Sequence, residues 1–138
     1  MRPGWSGMRQ KKKNELLTEV ELEFMNELWA LEEGTVRDVL DRLPEGRDLA
    51  YTSAATILRI LEQKEFVTSR KDGKRHVFKP TLDKGSYQTR SLKDLSMKLF
   101  DDTPASLVAR LVNDDELTEE ALGTIRALVD RRLKNDTG

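Results

Sequence analysis

The run YTSAATILRILEQKEFVTSRKDGKRHVFKP, residues 51–80, carries two hydrophobic periods in succession. Its first half spaces apolar residues as a helix does. Ala54, Ile57, Leu58 and Leu61 make one stripe and predict a helix from residue 51 or 52 to about residue 64. The other side of that helix carries Thr52, Ser53, Ala55, Thr56 and Arg59. The period then changes. Phe66, Val67 and Thr68 read as a strand, residues 71–74 as a tight hairpin with Asp72-Gly73 at its centre, and residues 75–79 as the returning strand, ended by Pro80. A helix with one small, polar side, followed at once by a basic hairpin, is the closing half of a winged helix-turn-helix.

The residues upstream supply the opening half. Thr18 with Glu21 three residues later is a capping box, and Leu22, Met25, Leu28 and Trp29 share one side, with Leu31 at its edge. This predicts a first helix over 18–32, ended by Gly34. Thr35, with Asp38 at the third position, caps a second helix over 35–43 whose stripe is Val36, Val39, Leu40 and Leu43, stopped by Pro44, Glu45 and Gly46. Downstream, helical patterns cover 84–100, 104–112 and 119–134, with Thr103 before Pro104 and Thr118 as caps. The predicted fold class is mainly α with a small β-hairpin: an N-terminal winged helix-turn-helix over 15–80 and a C-terminal α-helical dimerisation segment over 81–138. Residues 1–14, which contain Pro3, Gly4 and Gly7 and have no apolar period, read as a disordered basic arm.

Composition removes most other functions. The chain has no cysteine and one histidine, His76, which leaves no disulfide, thiolate nucleophile or sulfur-ligated metal. Gly-rich phosphate loops, nucleophile–base pairs and calcium-loop spacings are absent from the sequence, so no catalytic residue, metal site or cofactor is expected and the chain does not read as an enzyme. No apolar run approaches a membrane span and no secretory pattern opens the chain, so a cytoplasmic protein with no membrane partner is expected. With 37% apolar and 36% charged residues, a core completed by a second subunit is expected.

Net charge is −1, but its distribution is uneven. Residues 1–14 hold five basic and no acidic residues, and residues 59–80 hold seven basic against three acidic, whereas residues 15–58 hold three against eleven. Nucleic acid responds to such local fields more than to the chain total. On the third helix, Thr52, Ser53 and Thr56 let the backbone approach a major groove, Ala55 fits against a thymine methyl, and Arg59 reaches a guanine edge or a phosphate. On the hairpin, Arg70, Lys71, Lys74 and Arg75 suit neighbouring phosphates. His76 reads as a surface or structural strand residue. The acidic groups at Asp101 and Asp102 and at Asp114, Asp115 and Glu116 read as solvated helix-end charges.

At residue level the chain resembles the penicillinase-repressor family, the BlaI/MecI/CopY group. Leu17, Thr18 and Glu19 through Leu22, Met25, Leu28 and Trp29 look like that family's opening. Leu49 to Ser53, followed by Thr56, Ile57, Leu58, Leu61 and Glu62, is similar to its recognition helix, and the wing ends similarly at Phe78 and Pro80. Leu99, Phe100, Pro104, Ser106, Leu107 and Val108, then Leu117, Thr118 and Glu120, resemble its dimerisation segment.

The resemblance, over residues 17–133, implies a transcriptional repressor that binds a palindromic double-stranded operator as a homodimer and controls a resistance or stress-response gene. It implies a dimer interface drawn from Leu92, Leu95, Leu99, Phe100, Leu107, Val108, Leu111, Leu122, Ile125 and Val129, and an inducing protease or sensor pathway. There are departures. Without cysteine, the copper branch's metal-sensing motif is missing. Arg110-Leu111 stands where the antibiotic branch has its Asn-Phe cleavage bond. Glu65 replaces the glycine common after the recognition helix, and Ile60 replaces a common arginine. The alternative reading is a winged-helix module for protein contacts without specific DNA binding, which the acidic first half makes possible.

Overall fold

A computed structural model describes residues 16–45 and 47–137, so the N-terminal basic arm lies outside the described residues. Helix α1, Glu19–Leu31, begins with the expected capping box: the Glu21 amide donates to Thr18 Oγ1 (3.2 Å) and the Thr18 amide donates to Glu21 Oε1 (2.9 Å). Its inward stripe is Glu21, Phe24, Met25 and Leu28. The sequence pattern missed Phe24, and Leu22 and Trp29 only flank the core. A carboxylate at the first inward position disguised the stripe; Glu21 is tolerated there because Lys64 pairs with it.

Helix α1 ends at Glu32, in the left-handed region at φ 75°, with its amide on the Leu28 carbonyl (2.7 Å). Gly34, the expected terminator, has another role. It exchanges two backbone hydrogen bonds with Phe78, at 2.9 and 2.8 Å, and so holds the hairpin against the α1–α2 connection. A Cβ there would lie 3.1 Å from Leu31 Cδ1 and 3.2 Å from Asp38 Cβ, which favours glycine.

Helix α2, Val36–Arg42, carries the Thr35/Asp38 capping box. Helix α3, Tyr51–Gln63, starts after Ala50 without a side-chain cap and buries Ala54, Leu58 and Leu61, with Ile57 at the margin. Glu65 follows at φ 69°, the left-handed position that the missing glycine implied, and the Phe66 amide returns to the Leu61 carbonyl (2.9 Å).

Strand β1 (Val67–Asp72) pairs antiparallel with β2 (Arg75–Pro80), from Val67 opposite Pro80 to Asp72 opposite Arg75. The turn is Gly73-Lys74, one residue later than the expected Asp72-Gly73. Asp72 is spent in pairing, and Gly73 takes φ 67° at the first central position, as a type II′ turn requires. Phe66, Val67, Val77 and Phe78 turn inward.

Helix α4 is Lys84–Leu99, and the chain divides into two compact units inside it, between Ser91 and Leu92. The first unit thus extends past Pro80 to take in Leu82 and Tyr87. Tyr87 is buried beside Trp29 (ring centroids 5.8 Å) and Phe66 (6.0 Å), and its hydroxyl accepts the Leu17 amide (2.9 Å). Trp29 Nε1 donates to the Leu82 carbonyl (3.0 Å).

The second unit holds the end of α4, α5 (Pro104–Val112) and α6 (Glu119–Thr137). Asp101 and Asp102 turn the chain with φ 51° and 57°. Thr103 does not cap α5 through its side chain as expected; its hydroxyl donates to the Asp101 carbonyl (3.3 Å). Thr118 does cap α6, accepting the Ala121 amide (3.0 Å), and α6 runs three residues beyond the expected Lys134.

Candidate nucleic-acid interface

The inward stripe of α3 fixes what its other side presents. With Ala54, Leu58 and Leu61 buried, Thr52, Ser53, Thr56 and Arg59 are exposed and Ala55 is half-buried between the two sides. Thr56 donates its hydroxyl proton to the Thr52 carbonyl (3.0 Å), so toward solvent it offers an acceptor and a methyl group. The result is a helix ridge with short side chains and one long cation.

The hairpin brings Lys71, Lys74 and Arg75 to the surface at its tip, with Asp72 a loose 3.7 Å from Arg75. Arg70 is different. It makes a two-pronged contact with Glu33, both hydrogen bonds 2.9 Å long, and the Arg70 guanidinium holds the Glu33 carboxyl below the usual carboxylate range. The sequence grouped Arg70 with Lys71, Lys74 and Arg75 as suited to phosphates; in the structure it is exposed as they are, and its pair with Glu33 also links β1 to the α1–α2 connection. Ser69 likewise ties β1 to α3, donating to Glu62 Oε2 (2.7 Å).

Between the start of α2, the outer side of α3 and the hairpin lies a groove of about 370 Å³. It brings together the expected Ala55, Arg59, Lys74 and Arg75. Among the lining residues that sequence reasoning did not assign to the site are Arg37, Tyr51, Ser69 and His76. The Arg37 guanidinium lies over the Tyr51 ring, 5.5 Å from its centroid. Tyr51 was legible only as part of the recognition-helix motif, and Arg37 gave no signal, because its neighbour is set by how α2 crosses α3.

In the second unit, Leu92, Leu95, Leu99, Val108, Leu111 and Val129 are exposed, and Phe100, Leu122 and Ile125 are half-buried. Leu107 is buried within its own chain. Met97, Leu128 and Leu133 are also exposed and were not among the interface residues read from the sequence. Among the described residues no group of three or more His, Asp or Glu is placed to hold a metal ion, and no helix is long and apolar enough to cross a membrane.

The chain is 19% identical over 116 residues to the methicillin resistance regulatory protein MecI of Staphylococcus aureus, spanning 84% of this chain and 94% of that one. It is 38% identical over 65 residues to the transcriptional regulator BlaI of Mycobacterium tuberculosis, covering 46% of this chain and 47% of that protein. A solution structure of the DNA-binding domain of the repressor BlaI aligns with 51% of the chain and 87% of its own, at 24% identity and a TM-score of 0.46. Residues 17–131 match the penicillinase repressor family, and the chain therefore belongs to this family of transcriptional repressors.

Proposed function

We propose that two copies of this chain bind a palindromic operator, with α3 of each copy in the major groove and the hairpin tip against the flanking phosphates. The observation that carries this is the outward side of α3: short hydroxyl and methyl side chains, ending in Arg59, beside a hairpin that exposes Lys71, Lys74 and Arg75. Short side chains let the helix backbone come within reach of base edges, and the flanking cations attract the phosphates on either side. Pairing of two chains is supported by the apolar residues that the second unit leaves uncovered on α4, α5 and α6; Leu99, for instance, is 68% exposed. A twofold pair sets two α3 helices about 34 Å apart, or a multiple of it, so the operator half-sites follow that spacing. Bound at a promoter, such a pair excludes polymerase. The controlled gene is one of resistance or stress response, and the signal that releases the repressor acts by separating the two copies and removing the gain from bivalent binding.

Fluorescence anisotropy on the DNA upstream of this gene tests the reading. Arg59→Ala lowers specific affinity by about 1–3 kcal/mol, as for loss of a base contact. In sedimentation, the full chain runs as a dimer and Leu99→Asp, which alters an exposed position, shifts it toward monomer. A wild-type chain that binds no tested DNA, or one that stays single at high concentration, would refute the proposal.

A further inference from the structure

We infer that the groove between α3 and the hairpin is a seat for the sugar–phosphate chain of one DNA strand, and that Arg37, held in place by Tyr51, is a phosphate ligand within it. This rests on the DNA-binding reading above and names a contact that lies on neither the recognition side of α3 nor the wing tip.

Three observations carry it. The first is size and lining. The groove holds about 370 Å³ and draws Arg37, Arg59, Lys74 and Arg75 from three separate elements onto one opening. Its one lining carboxylate, Glu62, accepts a hydrogen bond from Ser69.

The second is charge pairing. Elsewhere in the same unit Arg42, Arg47, Lys64 and Arg70 each have a glutamate oxygen 2.8 to 3.0 Å away. Among the described residues, Arg37, Arg59 and Lys74 have no such partner, and Arg75 has Asp72 at a loose 3.7 Å with Asp38 also in its field; Lys71, Lys79 and Lys84 are likewise without a close carboxylate but stand outside the groove. Four cations that converge on one opening with a single carboxylate among them mark a place for an external polyanion.

The third is the Arg37–Tyr51 contact. Laying the guanidinium over the ring restricts a long, exposed side chain before any ligand arrives and leaves the edge N–H groups to donate. That lowers the entropy lost when a phosphate is bound. Tyr51 acts here through Arg37 and is a positioning residue; its hydroxyl is not required.

The test uses the full chain, operator DNA and unrelated duplex DNA over a range of salt. Arg37→Ala weakens binding to both duplexes by a similar factor and lowers the slope of log affinity against log salt by about one, as for one lost phosphate contact. Tyr51→Leu weakens binding about two- to fivefold, Tyr51→Phe does not, and Tyr51→Leu adds nothing once Arg37 is alanine. Circular dichroism melts of each variant separate loss of fold from loss of contact. If Arg37→Ala leaves affinity and salt slope unchanged while Arg59→Ala weakens operator binding, the groove seat is wrong and the DNA-binding reading stands. If Arg37→Ala weakens only the operator, Arg37 reads a base and is not a phosphate ligand. If the wild-type chain binds neither duplex but an acidic peptide occupies the groove, both readings fail.

Discussion

Replacing Glu21 with glutamine should cost the protein about 2 kcal/mol at neutral pH, and the loss should vanish in acid. Both Glu21 carboxylate oxygens lie 2.9 Å from Lys64 Nζ, and one also accepts the Thr18 amide. The side chains are only 9% and 14% exposed, although 43 residues separate them in the chain. Exposed ion pairs contribute about 0–1 kcal/mol, whereas removing one partner of a buried pair costs about 3–5 kcal/mol. The small residual exposure of this pair puts it between, near 2 kcal/mol. A glutamine side chain can still receive the Thr18 amide, so the capping box survives and the change isolates the charge on Lys64.

Burial pushes the Glu21 carboxyl up, but the Thr18 amide and the Lys64 ammonium outweigh it and hold the carboxyl below its ordinary value. A depressed folded-state value means the contribution is whole above the ordinary glutamate range and is lost as pH falls through the lowered value. Urea unfolding followed by tryptophan fluorescence at pH 7, 5, 4 and 3, for wild type and Glu21→Gln, measures this. For a domain of 60–100 residues the matching thermal shift is about 8–16 °C at pH 7. Equal stability at pH 7, or a gap of constant size down to pH 3, would refute the reasoning. The pair matters for function because it fixes the end of α3 to the start of α1 and so sets how the outward side of α3 is presented.

Three smaller perturbations read other parts of the unit. Glu65→Val should lower stability by about 1 kcal/mol or more, because a β-branched side chain is strained at φ 69°, and an unchanged urea midpoint would contradict the left-handed position. Gly73→Ala should lower stability by about 1 kcal/mol, because φ is 67° although nothing lies within 4 Å of the new methyl; an unchanged melting temperature would contradict the type II′ turn. Arg70→Ala should leave the salt slope of DNA binding nearly unchanged, since Glu33 holds that guanidinium, whereas Lys74→Ala should lower the slope by about one. Equal effects would return Arg70 to the interface.

What the amino-acid order determined by itself was local. Thr18/Glu21 and Thr35/Asp38 fix two helix starts through contacts three residues apart, and Ala54, Leu58 and Leu61 fix which side of α3 turns inward. From these the winged helix-turn-helix and the outward Thr52, Ser53, Thr56 and Arg59 followed, because capping and periodicity operate within a few residues. Tertiary structure decided whatever depends on partners distant in the chain. Lys64 made a core position of Glu21, Phe78 turned Gly34 from a terminator into a bridge, Glu33 met Arg70 across 37 residues of chain, and the crossing of α2 on α3 laid Arg37 on Tyr51. A charged or small side chain carries no mark of which distant group will meet it; its role is set by the packing of elements that the core brings together.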